Sequence, residues 1–235
     1  MRISSVWRSF LVCSALFLSA QHVFASALDE LGAADQQNVE SGGRAEISTM
    51  RSGPWPELKV YQLVNFSPKD GAAVFADYQK HNKLFNDIIS SDAHFQPGSN
   101  TVTVDYLMKV MKGLGKEHYT WQINFVPYDN NQSFKFEWHQ VVAERTQVNE
   151  GSVRFEPHAG GTLIAYTAYS EPKKIFGFDP NWQWVKDGVR QSILDSVTSV
   201  IQRAQSVITG DHTLFNAELF VLDGALNGKG LTPVQ

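Results

Sequence analysis

The stretch Val102-Thr103-Val104-Asp105-Tyr106-Leu107-Met108-Lys109-Val110 decides how this chain is read. Val102, Val104, Tyr106, Met108 and Val110 occupy one phase, and Thr103, Asp105, Leu107 and Lys109 the other. A period of two with one apolar phase marks a strand that turns one face to a core and the other to solvent. The pattern recurs downstream. Tyr119, Trp121, Ile123 and Phe125 alternate with His118, Thr120, Gln122 and Asn124; Phe134, Phe136 and Trp138 alternate with Lys135, Glu137 and His139; Val153 and Phe155 alternate with Arg154 and Glu156. Turn-forming runs separate these segments, notably Pro97-Gly98-Ser99-Asn100, Asp129-Asn130-Asn131 and Gly160-Gly161. From Ser91 to Ser170 the chain therefore predicts an antiparallel meander.

Outward from the meander the period changes. Asp179-Pro180 offers a capping residue followed by proline at the first helical position. Trp182, Val185, Val189, Ile193, Val197, Val200 or Ile201, Ala204 and Ile208 then recur every three or four residues, and Gly210 can end the run. This predicts a long helix with one apolar face, for which the apolar face of the sheet is the only large partner surface. Upstream, Leu58 to Val64 reads as a strand. Ser67-Pro68-Lys69-Asp70 starts a short helix reaching about Tyr78, with Asp70 where a capping-box acid belongs. Leu84, Phe85, Ile88 and Ile89 at helical spacing predict a second short helix.

The order strand, two short helices, six-stranded meander and long C-terminal helix resembles the helix-grip fold of the START and Bet v 1-like superfamily, with its polyketide-cyclase and coenzyme-Q-binding members. Asn65-Phe66-Ser67-Pro68 through Val74-Phe75 to Asp77-Tyr78 and Phe85 is similar to the first-helix region of that family. Gly151 to Pro157, followed by Gly160-Gly161-Thr162 and Ala165-Tyr166, is similar to its paired late strands. The resemblance covers Leu58 to Ile208. It implies an α+β helix-grip fold: a curved antiparallel sheet wrapped around the long C-terminal helix, with two short helices after the first strand. It also implies a cavity for a lipid, sterol, isoprenoid or polyketide-like molecule. The inferred lining is Tyr106, Met108, Tyr119, Trp121, Phe134, Phe136, Trp138 and Phe155 from the sheet, facing Val185, Val189 and Ile193, with Val197, from the helix. The residues alone leave both a solid core and a hollow one open.

The N-terminus has a different character. Arg2 and Arg8 precede the apolar run Phe10 to Leu18, and Val23-Phe24-Ala25-Ser26-Ala27 brings the small residues a signal peptidase selects. Residues 1–27 are expected to be a signal peptide, cut after Ala25 or, preferentially, after Ala27. The apolar run falls short of the roughly 18 residues a spanning helix needs. Residues 28–56, with no sustained period, read as a flexible leader; 57–210 form the domain; 211–235 form a tail with a short apolar segment between Thr213 and Leu222. Cys13, the only cysteine, leaves with the signal, so a periplasmic or secreted mature chain would be held by packing alone.

Composition narrows the function further. Of the 20 basic residues, Arg2 and Arg8 go with the signal, leaving 18 against 24 acidic ones and a net charge of about −6. Such a chain should not seek nucleic acid. No histidine pair has metal-ligand spacing and no HExxH occurs, so neither a metal nor a cofactor is expected. No GxSxG occurs, and Gly113-Leu114-Gly115 lacks a dinucleotide fingerprint, so no catalytic residue is assigned. His139, Asp105, Arg154 and Glu156 fall on the outward phase and read as an exposed polar face. The function these features support is an exported, monomeric carrier of an apolar small molecule, with transient membrane contact. The rivals are a cyclase or hydrolase of the same superfamily, which would need an ionisable group in the cavity, and an interaction module using Trp182 and Trp184.

Overall fold

Eight antiparallel strands make one sheet: β1 (Arg44–Met50), β2 (Pro56–Val64), β3 (Ile88–Phe95), β4 (Thr101–Lys109), β5 (Lys116–Tyr128), β6 (Ser133–Ala143), β7 (Thr146–His158) and β8 (Gly161–Pro172). Their order across the sheet is β1-β2-β8-β7-β6-β5-β4-β3, so the meander β3 to β8 is closed onto β2 by β8. The computed structural model describes residues 25–51, 55–109, 115–174, 183–209, 222–227, 229 and 231. The sheet is curved, and α4 (Gln183–Thr209) lies in its concave side, which is the helix-grip arrangement. Asp179 and Trp182, read as the start of this helix, lie outside the described residues.

The period-two reading holds on the ground. Val102, Val104, Tyr106, Ile123, Phe125, Phe134, Phe136, Trp138, Val153 and Phe155 are all buried on the concave face. The three consecutive residues Asp129, Asn130 and Asn131, which join β5 to β6, have φ of 50°, 53° and 63°. Asn and Asp tolerate this left-handed region better than other side-chain-bearing residues, hence the turn. A register shift between Thr120 and Trp121 leaves Val141 without a partner across the ladder. Val141 and Val142 consequently both face outward.

Between β2 and β3 the chain forms α2 (Pro68–Ala76), a 3-10 turn (Tyr78–Lys80) and α3 (His81–Leu84). Ser67 accepts from Asp70 N and Asp70 from Ser67 N, the reciprocal cap expected from the sequence. The second short helix is corrected in extent: it ends at Leu84, and Ile88 already begins β3. Leu84, Phe85 and Ile88 are buried from two different elements, which is why they mimic a helical repeat. Helix α2 seals one end of the concave face. Gly71 lies so close to the rings of Phe155 and Phe66 that a Cβ there would stand 2.7–2.9 Å from them.

The expected flexible leader is also corrected. Ala27–Glu30 forms a 3-10 turn, α1 spans Ala33–Glu40, and β1 pairs with β2 from Arg44↔Gln62 to Met50↔Pro56. Ala27, Leu28, Leu31 and Val39 bury themselves against Tyr61, Leu163 and Ala165 on the convex face. The physical reason is that β2 and β8 carry apolar residues in both phases there, and a two-sided apolar strand requires a second cover. The domain therefore begins well before residue 57. In the tail, residues 222–226 are helical, and Leu222, Ala225 and Leu231 join the main core. Leu231 N bonds Ser99 O, and Lys69 pairs with Asp223, so this segment is docked. Thr213 to Val221 lie outside the described residues.

Candidate functional site

The concave face is solid at the α2 end and hollow at the other. Phe75 from α2 packs on Phe136 and Phe155 at centroid distances of 5.0 and 6.4 Å, and Phe125 packs on Phe134 and Phe136. Phe134, Phe136 and Phe155, expected to line a cavity, are thus packed among aromatic neighbours and do not reach it. Alternation tells which face a side chain takes but not how far along the strand a helix has filled the space.

Beyond this plug a cavity of about 980 Å3 opens between the sheet and the N-terminal half of α4. Met108, Tyr119, Trp121 and Trp138 line it from the sheet, and Val185, Val189 and Ile193 from the helix, all in the expected set. Tyr106 lines a narrow inner extension of about 40 Å3 together with Phe75, His81 and Tyr166, whereas Val197 is buried in the core and borders neither space. The volume lies at the upper end of the range of about 300–1,000 Å3 typical of small-molecule sites.

One wall is a belt of rings running across the strands. Tyr106 on β4 meets Trp121 on β5 at 5.1 Å, Trp121 stacks on Trp138 of β6 at 6.0 Å, and Trp138 reaches Tyr166 of β8 at 5.3 Å. That last step crosses β7. Gly151, cross-strand from Trp138, makes it possible, because a Cβ there would fall 2.4 Å from the indole. Trp138 Nε1 donates to Asn149 Oδ1 at 3.3 Å, whereas the buried Trp121 Nε1 has no partner.

Polar groups sit at both ends of the hollow. At the inner end His81, at the start of α3, is buried, with Nε2 2.8 Å from Phe75 O and Nδ1 2.8 Å from the Tyr106 hydroxyl. A carbonyl can only accept, so Nε2 carries the proton and Tyr106 donates to Nδ1. Burial pushes the His81 pKa down to about 4, with the Phe75 bond and Asp77 opposing. Burial likewise drives the Tyr106 and Tyr166 phenols upward. At neutral pH His81, Tyr106 and Tyr166 are therefore all uncharged.

At the rim, Glu117 is almost fully buried. Its carboxylate accepts from Arg145 N at 2.6 Å, Thr146 N at 2.9 Å, Thr146 Oγ1 at 3.3 Å and Tyr119 Oη at 2.9 Å. This ties the β6–β7 turn to β5. Lys109, Arg145, Lys173 and Lys174 share the rim with Asp87, Glu117, Glu144 and Asp195, so both signs are present. Trp184, about half exposed, also borders the opening.

Sequence reading missed His81 and Glu117. Glu117 was legible, since it stands in the inward phase of Tyr119 and Trp121. His81 gave no signal, because its neighbours on a four-residue helix carry no usable period. His139 and Asp105 are exposed as expected, but Glu156 is buried beneath the N-terminal segment. Among the described residues no cluster of potential metal ligands occurs, and no helix is long and apolar enough to cross a membrane.

No protein-family model and no curated protein sequence matches the chain. Solved structures do. A STAR-related lipid transfer protein from Xanthomonas axonopodis superposes with a TM-score of 0.59 at 12% identity, over 69% of this chain and 94% of its own. The Zhui aromatase/cyclase from Streptomyces sp. R1128 gives 0.57 at 12%, over 67% and 98%. Human STARD10 gives 0.55 at 12%, over 81% and 87%. The chain therefore has the START-type helix-grip fold.

Proposed function

We propose that this protein is an exported carrier that holds a ring-bearing, oxygen-containing hydrophobic molecule in its cavity. The observation that carries this reading is the hollow of about 980 Å3 lined by the Tyr106-Trp121-Trp138-Tyr166 belt opposite Val189 and Ile193. Flat aromatic walls favour rings through stacked and edge contacts, each worth about 0.5–1.5 kcal/mol beyond area. Burying about 400 Å2 of apolar ligand surface would contribute about 10 kcal/mol before the costs of association. The unpartnered Trp121 N–H favours a ligand that brings an acceptor oxygen. The arginine-flanked apolar run and small residues up to Ala27 support export to the periplasm or outside the cell.

An enzyme is supported less well. The inner wall does carry an ionisable pair, His81 and Tyr106, yet both imidazole nitrogens are occupied and the tyrosine proton points at His81. That arrangement orients a ring and braces the wall more readily than it transfers a proton to a ligand. The test is a titration with an apolar fluorophore, read by its emission and by energy transfer from Trp121 and Trp138. Saturable uptake is expected, weakened at least tenfold by Val189→Trp or Ile193→Trp, which fill the hollow without touching the plug. Unsaturable uptake, or equal uptake by the filled variants, would overturn the carrier reading.

A further inference from the structure

Ser26 and Ala27 are working parts of the folded domain. Ala27 is fully buried, and its N–H donates to Glu156 Oε2 at 2.8 Å. The Ser26 hydroxyl donates to the same oxygen at 3.1 Å and accepts from Leu28 N at 3.3 Å. Ser26 N lies 3.2 Å from Asp29 Oδ2, completing a reciprocal cap. Ala25, by contrast, is exposed. Glu156 itself is buried on the convex face, where Tyr128 donates to it at 2.8 Å and Arg154 approaches to 3.5 Å. Arg154 also pairs with Glu30, which Tyr61 and Lys59 reach at 2.8 and 3.3 Å. In this linked cluster three carboxylates, Asp29, Glu30 and Glu156, face two cations, Lys59 and Arg154. One negative charge is left over at the place where Ser26 N sits.

We propose that the leader is cut between Ala25 and Ser26, and that the new Ser26 α-ammonium becomes the missing cation of the Asp29–Glu156 cluster. Water adds across the amide: the C–N bond breaks, Ala25 leaves with the carboxylate, and Ser26 keeps the nitrogen as an ammonium. Val23 and Ala25 meet the small-residue requirement at the third and first positions before the cut. A cut after Ala27, preferred on sequence grounds, would strip Glu156 of two of its donors and remove a fully buried residue. A cut after Ala25 removes none of these contacts. It also converts a neutral donor beside a carboxylate into a charged one, which is the stronger kind of hydrogen bond. Processing would thereby stabilise the mature domain relative to its precursor.

This inference rests on the export reading, and the experiment separates the two. The full-length chain is expressed in a bacterial host with a periplasm, and the periplasmic product is characterised by intact mass and N-terminal sequencing. A first residue of Ser26 is expected. A first residue of Leu28 would overturn the site while leaving export intact; an uncut product confined to the cytoplasm would overturn both. A second measurement compares purified proteins beginning at Ser26, at N-acetylated Ser26 and at Leu28. The Leu28 form is expected to melt roughly 5–10 °C lower and the acetylated form roughly 1–4 °C lower than the Ser26 form. Equal melting of the Ser26 and acetylated forms would remove the ammonium from the account. Equal melting of all three would remove the structural argument for the cut.

Discussion

Replacing His81 by Gln should flatten the acid sensitivity of this fold. Glutamine can accept from Tyr106 and donate to the Phe75 carbonyl as the imidazole does, but it does not titrate. In the unfolded chain His81 takes up its proton near pH 6.5, and in the folded chain only near pH 4. Between those values the unfolded state binds more protons, so stability falls as pH falls through that window and is retained above it. At about 1.4 kcal/mol per pH unit, the full gap corresponds to about 3 kcal/mol, most of it lost by pH 4.5. Urea unfolding of wild type and His81→Gln at pH 7.5 and pH 4.5 reads this directly. Carboxylates common to both proteins cancel in the comparison. The wild type should lose roughly 2–3 kcal/mol more than the variant between the two pH values. Parallel losses would mean that His81 is not buried as a neutral donor–acceptor, and the reasoning about the inner end of the cavity would fail with it.

Other perturbations probe the plug, the belt and the rim. Gly71→Ala gains about 1 kcal/mol of helix propensity but forces a methyl into the Phe155 and Phe66 rings, so calorimetry should register a net loss, with overpacking costing about 1–3 kcal/mol. Gly151→Ala should displace Trp138 from Tyr166, lowering stability by a similar amount and shifting tryptophan emission; an unchanged spectrum would contradict the belt. Glu117→Gln keeps the shape but removes the charge from an acceptor of four hydrogen bonds, for a loss of about 1.5–3 kcal/mol by denaturant titration.

Much of this architecture is legible in the amino-acid order because its strands are long and one-sided. The apolar phase of 102–110 and 118–125 says directly which side chains face α4, and Ser67-Pro68-Lys69-Asp70 marks the α2 start to the residue. What resisted reading was set by contacts remote in sequence. Residues 27–50 look featureless until Leu163 and Ala165, more than a hundred positions away, need a cover. The burial of Glu156 follows from the same cover. Phe134, Phe136 and Phe155 share the phase of Trp138, yet the plug formed by α2 separates core from cavity, and no local pattern records where that helix docks. His81 is identified by its partners Tyr106 and Phe75, not by its neighbours.

The central claim is that the hollow beside Trp121, Trp138 and Ile193 holds a hydrophobic molecule in the working protein. Native mass spectrometry of the mature chain, purified from its own compartment without detergent, tests it most directly. The account predicts a bound species of constant mass, released on unfolding and absent from Ile193→Trp. Repeated ligand-free spectra of the wild type, with no saturable uptake of added apolar compounds, would contradict it.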